Sequence, residues 1–352
     1  MLAISAADAI TLALERTRQF LFSPFRWRTY LKLGLVAILT EGLGGNFHGS
    51  KQGGFKPGQA PNFHAPGNFP DLGAHIPQLI AIVAVVALII IVVSFVIAYL
   101  ITRLRFAYFH CLIHNITEIR PGWRLYREPA TRFFWLSVVV GFSFLLLMIL
   151  SALPFISGFV NLYHQSRAMG HPDYAVLISL ILALVPVILL LVLIAYLIHI
   201  VLRDWMLPHY ALEDASALEA WLDVWDRITA EKGQFALYAL LRLLLPMVAA
   251  IGLFIVLLLP GLLLAGSVAG LEFMIHSAFA NATGGILPVG IFLMAIVGLV
   301  GFVIAALAAI CIGGPLSTAV REYAISFYAG RYQKLGDILY PPPAIAEGEP
   351  IL

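Results

Sequence analysis

Long runs in which nearly every residue is apolar alternate along the chain with shorter stretches where apolar residues recur every third or fourth position. A hydrocarbon core about 30 Å thick takes roughly 20 apolar residues in a helix. Six runs qualify: 29–43, 76–102, 133–160, 174–202, 235–264 and 286–312. The first is short, with Lys32 and Glu41 near its ends, from which long side chains reach the headgroups. All six are predicted helices, because lipid offers backbone N–H and C=O groups no other partner.

The intervening stretches carry a different period. Ser5-Ala6-Ala7-Asp8 reads as a capping box, and Ile10, Leu14, Thr17 and Leu21 then recur opposite Asp8, Glu15 and Arg18. Ser216 and Glu219 repeat the signal, with Leu218, Trp221, Leu222, Trp225 and Ile228 on one face and Glu219, Asp223, Asp226 and Arg227 on the other. After Pro315 the stripe is Val320, Tyr323, Ala324 and Phe327; the 110–132 connection, broken by Pro121-Gly122, is a poorer example. Such helices lie in the membrane interface as elbows between spans.

Composition agrees: 61% of residues are apolar and 11% charged, against roughly 25% charged in soluble domains, and mean hydropathy is +0.95. The net charge of +2 matters less than its placement. Arg16, Arg18, Arg26, Arg28 and Lys32 precede or open the first run; Arg103, Arg105, Arg120, Arg124, Arg127 and Arg132 follow the second. Arg203, Arg227, Lys232 and Arg242 follow the fourth run, and Arg321, Arg331 and Lys334 the sixth. Only Lys51, Lys56 and Arg167 fall on the other side, so both termini are expected in the cytoplasm of a bacterial inner membrane. Trp27, Trp123, Trp135, Trp205, Trp221 and Trp225 share the basic side, where indole rings anchor at headgroup depth. Asp8 and Glu15 interrupt the first stretch, so no cleavable leader is expected.

A five-residue word, Ile-Ala-Tyr-Leu-Ile, occurs at 97–101 and again at 194–198, each time where an apolar run meets arginine. Position and charge side favour an internal repeat over coincidence. The expected fold is all-α: a membrane bundle of about six spans in three hairpin units, near 5–102, 103–202 and 203–313, with a final elbow at 315–334. A Gly/Pro-rich outer loop at 44–77 and a tail at 336–352 complete one integral membrane domain. The loop repeats Asn46-Phe47-His48, Asn62-Phe63-His64 and Asn68-Phe69-Pro70, a composition that buries no core.

The motifs Leu207-Pro208, Glu213-Asp214-x-Ser216, Glu219-Ala220-Trp221 and Gly233-x-Phe235, with Gly314-Pro315, Tyr323 and Tyr328, resemble bacterial six-helix families related to the glycerophosphoryl diester phosphodiesterase membrane domain. The resemblance covers about 200–332 and implies an inner-membrane bundle. It does not carry enzymatic activity over, because the matching residues mark helix boundaries.

Catalytic patterns are absent: no H-E-x-x-H or G-x-S-x-G occurs, and Gly45 to Lys51 fails the spacing of a phosphate loop. His110, Cys111 and His114 could supply zinc ligands, but a lone His pair one turn apart at an interface is more often polar trim. The outer-side His48, His64, His75, His164, His171 and His276 could collect a transition metal, but a flexible loop that grazes the membrane through its phenylalanines is the favoured reading. No catalytic residue, cofactor or metal is assigned. Cys111 and Cys311 read as packing residues, not a disulfide. Within the runs, Arg242 and His199 are the ionisable groups, both close enough to an edge to snorkel. Pro154, Pro186, Pro246, Pro260 and Pro288, with Gly290, Gly298 and Gly301, mark either close packing or a broken helix at a substrate site.

The expected function is a non-enzymatic protein that engages or organises anionic lipids at the cytoplasmic leaflet, with no nucleic-acid partner. The proposed headgroup ring is Arg103, Arg105, Arg203 and Arg321, with Arg120, Arg124 and Arg127 as looser contacts. The alternative is a transporter or permease for an apolar or lipid-like substrate. Polar residues converging between the fifth and sixth runs would favour it, and a gap-free apolar bundle the lipid organiser. Topology is tested by single cysteines in a cysteine-free background. An impermeant thiol reagent applied from outside is expected to label position 50 and spare position 216; the reverse would overturn the orientation.

Overall fold

The structure is a computed structural model that describes residues 4–42, 72–169, 173–279 and 287–341. Among the described residues every regular element is a helix. Two short helices open the chain, α1 (Asp8–Phe22) and α2 (Trp27–Ala37), the latter continued by a π-helical turn over Ile38–Gly42. Then come α3 (Leu72–His114), α4 (Ile119–Leu125), α5 (Arg127–Met169) and α6 (Tyr174–Ile200). A second π-helical turn, Val201–Met206, joins α6 to α7 (Leu207–Leu212). The chain continues with α8 (Ala217–Ala230), α9 (Lys232–Phe279), α10 (Leu287–Ala329) and α11 (Gln333–Leu339).

Among the described residues, five stretches are long and apolar enough to cross a membrane: Ile80–His114, Arg127–Arg167, Tyr174–Leu212, Lys232–Phe279 and Pro288–Ala329. At about 1.5 Å per residue, a helix of 43 residues such as α3 is roughly 65 Å long, twice the hydrocarbon thickness. The surplus is spent at one end. Phe106 to Ile113 of α3, Ala130 and Phe133 of α5, Trp205 to Tyr210, Phe235 and Tyr238 of α9, and Tyr323 to Ala329 of α10 share one buried core. Away from that layer the same helices expose isoleucine, leucine and valine, such as Ile82, Leu146, Leu189, Val256 and Phe302. Exposed apolar surface of this extent is stable only against lipid. Each long helix is therefore an apolar arm rooted in a packed polar-and-aromatic base.

The expected first span, 29–43, corresponds to α2 and its π turn and is not among the five. It is too short, and it packs Leu33, Val36 and Ala37 into the core. Its contact is α10, where Gly34 meets Gly314. A Cβ on Gly314 would stand 2.6 Å from Gly34 Cα, so the crossing admits no side chain. The final elbow expected after Pro315 does not exist as a separate helix; α10 runs through it. Proline lacks the N–H that would bond the carbonyl four residues back, here Cys311, and that carbonyl accepts the Tyr30 hydroxyl from α2. The expected lipid-facing stripe is also inverted: Tyr323, Ala324 and Phe327 are fully buried. In α1 the buried face is Ala9, Ala13, Thr17, Phe20 and Leu21, with Leu14 exposed, because short side chains let the helix lie close against α10.

Of the two expected capping boxes, Ser216 and Glu219 form the reciprocal box of α8, whereas α1 starts after Ala7 without a side-chain cap, and Ser5 Oγ accepts the Asp8 N–H just ahead of it. Both cysteines are free. Helices α5, α6 and α9 pass through Pro154, Pro186, Pro246 and Pro260 without ending. The tyrosines of the repeated word act alike: Tyr99 on α3 reaches Thr131 Oγ1 of α5 at 3.3 Å, and Tyr196 on α6 donates to Ala239 O of α9 at 2.6 Å. The 44–71 part of the outer loop and the tail from 342 lie outside the described residues.

The α2–α10 crossing predicts that Gly314→Ala lowers the melting temperature in detergent, since overpacking typically costs about 1–3 kcal/mol. Gly261→Ala, on an arm with nothing within 4 Å of its Cβ position, is expected to leave it unchanged. Equal melting temperatures would remove the crossing as a constraint.

Candidate functional site

The two π turns face each other inside the base. A π turn inserts one residue into the helical ladder and redirects the side chains around it, an arrangement frequent at functional sites. In the second turn it buries two consecutive charged residues, Arg203 and Asp204, 3% and 2% exposed. Its last i→i−5 bond runs from Leu207 N–H to Leu202 O. The next in register would come from Pro208, which has no N–H. The carbonyl left free, Arg203 O, accepts Arg321 Nη1 from α10 at 2.9 Å.

Around this point the chain assembles an ionic cluster from five elements. Asp204 Oδ2 accepts Arg242 Nε of α9 at 3.0 Å and the Tyr238 hydroxyl at 2.8 Å, and Oδ1 accepts Arg321 Nη1 at 3.2 Å. Glu41, on the first π turn, pairs with Arg203 and, at 3.4 Å, with Arg242 Nη2. The Thr40 carbonyl accepts Arg203 Nη2 at 2.6 Å and Arg105 Nη2 of α3 at 3.3 Å. Arg203 Nη1 lies 3.0 Å from His199 Nε2. Three guanidiniums, those of Arg203, Arg242 and Arg321, thus share two carboxylates, and a fourth, Arg105, joins through the Thr40 carbonyl; each is permanently charged in ordinary surroundings. The balance is an excess of two positive charges in a buried place, with Glu41 Oε1, Arg105 Nε, Arg203 Nε, Arg321 Nε and Arg321 Nη2 lacking partners.

Beside the cluster opens a cavity of about 700 Å³. Its lining combines Glu41, Tyr196, His199, Arg203 and Arg242 with the apolar Pro246, Met247, Ala250, Leu316 and Val320. Leu243 and Met247 on its lining are exposed on the apolar flank of the molecule. Chemically, it pairs a cationic end that can donate several charge-assisted hydrogen bonds with an apolar end that can take hydrocarbon. A second cavity, about 840 Å³ and apolar except for Lys232 on its lining, lies under α8 between Trp221, Trp225, Leu197, Val201 and Phe235.

The arginines singled out from the sequence are distributed unequally. Arg105, Arg203 and Arg321 converge on the cluster. Arg103 instead stacks on the Trp123 ring at 4.4 Å and donates to Trp123 O. Arg120, Arg124 and Arg127 are exposed. Of the tryptophans, Trp27, Trp135, Trp221 and Trp225 are exposed, Trp123 is half-buried, and Trp205 is packed inside against Phe235 and Tyr238. His110 and His114 lie side by side, ring centroids 4.5 Å apart, but Cys111 donates its thiol to Glu118 O and does not complete a ligand set with them. His48, His64 and His171 lie outside the described residues, as does the side chain of His75.

Sequence reasoning missed Glu41 and Asp204 as centres. Glu41 and Arg242 were expected to snorkel, yet their side chains are 4% and 10% exposed, because each finds an opposite charge inside. The available signal was the pairing itself: an acid in the first run, an Arg-Asp pair just beyond the fourth, and arginine within the fifth.

A chain whose described residues form only helices, with five apolar arms among them and a buried ionic base, is a multi-pass membrane protein. The chain belongs to a family of unknown function (DUF7544), whose pattern it matches over residues 4–338. Comparison with curated proteins gave no match, and neither did comparison with solved structures.

Asp204 is the anion on which three side-chain donors converge. Removing one partner of a buried charge network costs about 3–5 kcal/mol, so Asp204→Asn is expected to destabilise the protein severely in thermal unfolding. Arg132→Gln, which breaks the exposed Arg132–Asp214 pair, should cost well under about 1 kcal/mol. Comparable losses for the two would mean that the cluster contributes no more than a surface pair.

Proposed function

We propose that this protein holds an anionic amphiphile, a lipid with a negatively charged headgroup, in the cavity beside the arginine cluster. The observation that carries the reading is the charge imbalance: four guanidiniums to two carboxylates, with the side chains of Arg203 and Arg242 on the lining of the cavity. A monoanionic or dianionic headgroup would offset the excess. The apolar lining formed by Pro246, Met247, Leu316 and Val320 suits the attached chain. The protein is read as non-enzymatic, acting on the inner leaflet of a bacterial inner membrane, with both termini cytoplasmic. In this reading α2 counts as a sixth, shallow membrane segment and α8 as an interfacial elbow. The like roles of Tyr99 and Tyr196 support the hairpin repeat, and the likeness to the glycerophosphoryl diester phosphodiesterase membrane domain fits the same picture.

A second reading is favoured by where the charges lie. Arg242 and Arg321 converge on Asp204 from α9 and α10, the two helices between which polar convergence was expected for a permease. The protein would then move the amphiphile and not merely retain it. Both readings share the ligand and the cavity.

Native mass spectrometry of protein purified in mild detergent separates ligand binding from charge at the surface. The parent is expected to retain one anionic lipid. Arg203→Gln should lose it, and Met247→Trp, which leaves every charge in place but narrows the apolar end, should lose it too. Arg124→Gln, at an exposed arginine, should keep it. Equal retention by all four proteins would refute the reading. Movement of a fluorescent anionic lipid between leaflets of proteoliposomes, faster with the parent than with Met247→Trp, would favour the permease over the organiser.

A further inference from the structure

A second constellation lies apart from the arginine cavity, where α7, α8 and α10 meet. His209, on α7, is fully buried, and its Nε2 stands 2.7 Å from the Tyr328 hydroxyl of α10. That contact fixes the ring and leaves Nδ1 directed away from Tyr328. Nδ1 is buried and has no hydrogen-bond partner, an uncommon state for a polar atom inside a protein. It faces two carboxylates. Glu213 Oε2, one helical turn on, lies 3.5 Å away, and Asp223 Oδ2, from α8, lies 3.8 Å away. One ligand atom from each of the three residues falls within 4.8 Å of the others. Two ligands held about 2.1 Å from a tetrahedral ion stand roughly 3.4 Å apart, so the spacing is close to that of a shared ion and long for direct hydrogen bonds.

We propose that His209, Glu213 and Asp223 bind a divalent transition-metal ion of the zinc and cobalt class. An imidazole nitrogen with two carboxylates is a borderline-hard donor set that favours such ions over calcium or magnesium, which take oxygen alone. Tyr328 supplies the outer-shell hydrogen bond that metal-ligating histidines characteristically make through their other nitrogen. The neighbouring cations leave the site open. Lys334 Nζ engages Glu213 through the other oxygen, Oε1, at 3.0 Å. Arg227 donates to Arg331 O and stacks over the Tyr332 ring, 5.3 Å from its centroid. Asp223 is about half-exposed, which gives an ion a path in and leaves room for a completing water. The bound ion would clamp α8, the helix that covers the apolar cavity, to α7 and through Tyr328 to α10. The site rests on none of the residues of the arginine cluster.

Isothermal titration of the purified, tag-free, chelator-treated protein with zinc chloride tests this directly, with cobalt(II) absorption as the geometric readout. The parent is expected to bind one equivalent of zinc and to give the intense visible bands of low-coordinate cobalt. Asp223→Asn and Glu213→Gln, which alter carboxylates outside the core, should each weaken zinc by about tenfold or more. Asp226→Asn, exposed on the same helix, should bind as the parent does. His209→Gln should abolish binding, and circular dichroism and melting of each variant show that the fold is retained. No saturable zinc binding by the parent, or zinc binding unchanged in both Asp223→Asn and Glu213→Gln, would overturn the proposal.

Discussion

Two buried carboxylates hold the base of this protein together, and most of its shape follows from how they are partnered. Asp204 ties the turn after α6 to Tyr238 and Arg242 of α9 and to Arg321 of α10; Glu41 ties the end of α2 to Arg203 and Arg242. An isolated charge of either sign at this depth would cost several kcal/mol to desolvate, so each ion is retained only by the presence of the others. The constraint fixes where α2, α6, α9 and α10 meet. The apolar arms beyond that level need only lipid to cover them.

The backbone prepares this meeting before the side chains complete it. Pro208 and Pro315 each remove one N–H from a helix, and each freed carbonyl is taken by a side chain from elsewhere: Arg203 O by Arg321, Cys311 O by Tyr30. Gly34 and Gly314 let α2 approach α10 closely enough for the tyrosine to reach. Residues that look like helix breakers are thus docking points. In α5, α6 and α9 the interior prolines break nothing, which agrees with the tolerance of long membrane helices for proline where neighbours or side chains satisfy the freed group.

Much of the architecture was legible because it obeys one-dimensional rules. The five long helices, the Ser216–Glu219 cap and the free cysteines follow from apolar run length, capping chemistry and cysteine count. What escaped the sequence is three-dimensional. Glu41 and Arg242 looked like edge residues because an apolar run with one charge near its end is normally satisfied by snorkelling. Only the fold reveals that the two ends point at the same spot. The 315–329 segment looked interfacial because its apolar stripe has the right period, yet periodicity does not say whether a stripe faces lipid or protein. His209 gave no local signal, since Asp223, its distant partner, is brought to it by the reversal between α7 and α8.

The charge excess links architecture to function. Four guanidiniums and two carboxylates form a base that is structurally tied yet electrostatically incomplete, and the cavity opens where it is incomplete. The most direct test is an experimental structure of the protein in a lipid nanodisc containing anionic and zwitterionic lipids. The account predicts density for a lipid in the 700 Å³ cavity, with its anionic headgroup in hydrogen-bonding contact with Arg203 or Arg242 and its chain along Met247 and Leu316. A cavity closed by rearrangement of α6 and α9, or filled only by water with every guanidinium partnered by protein, would contradict it.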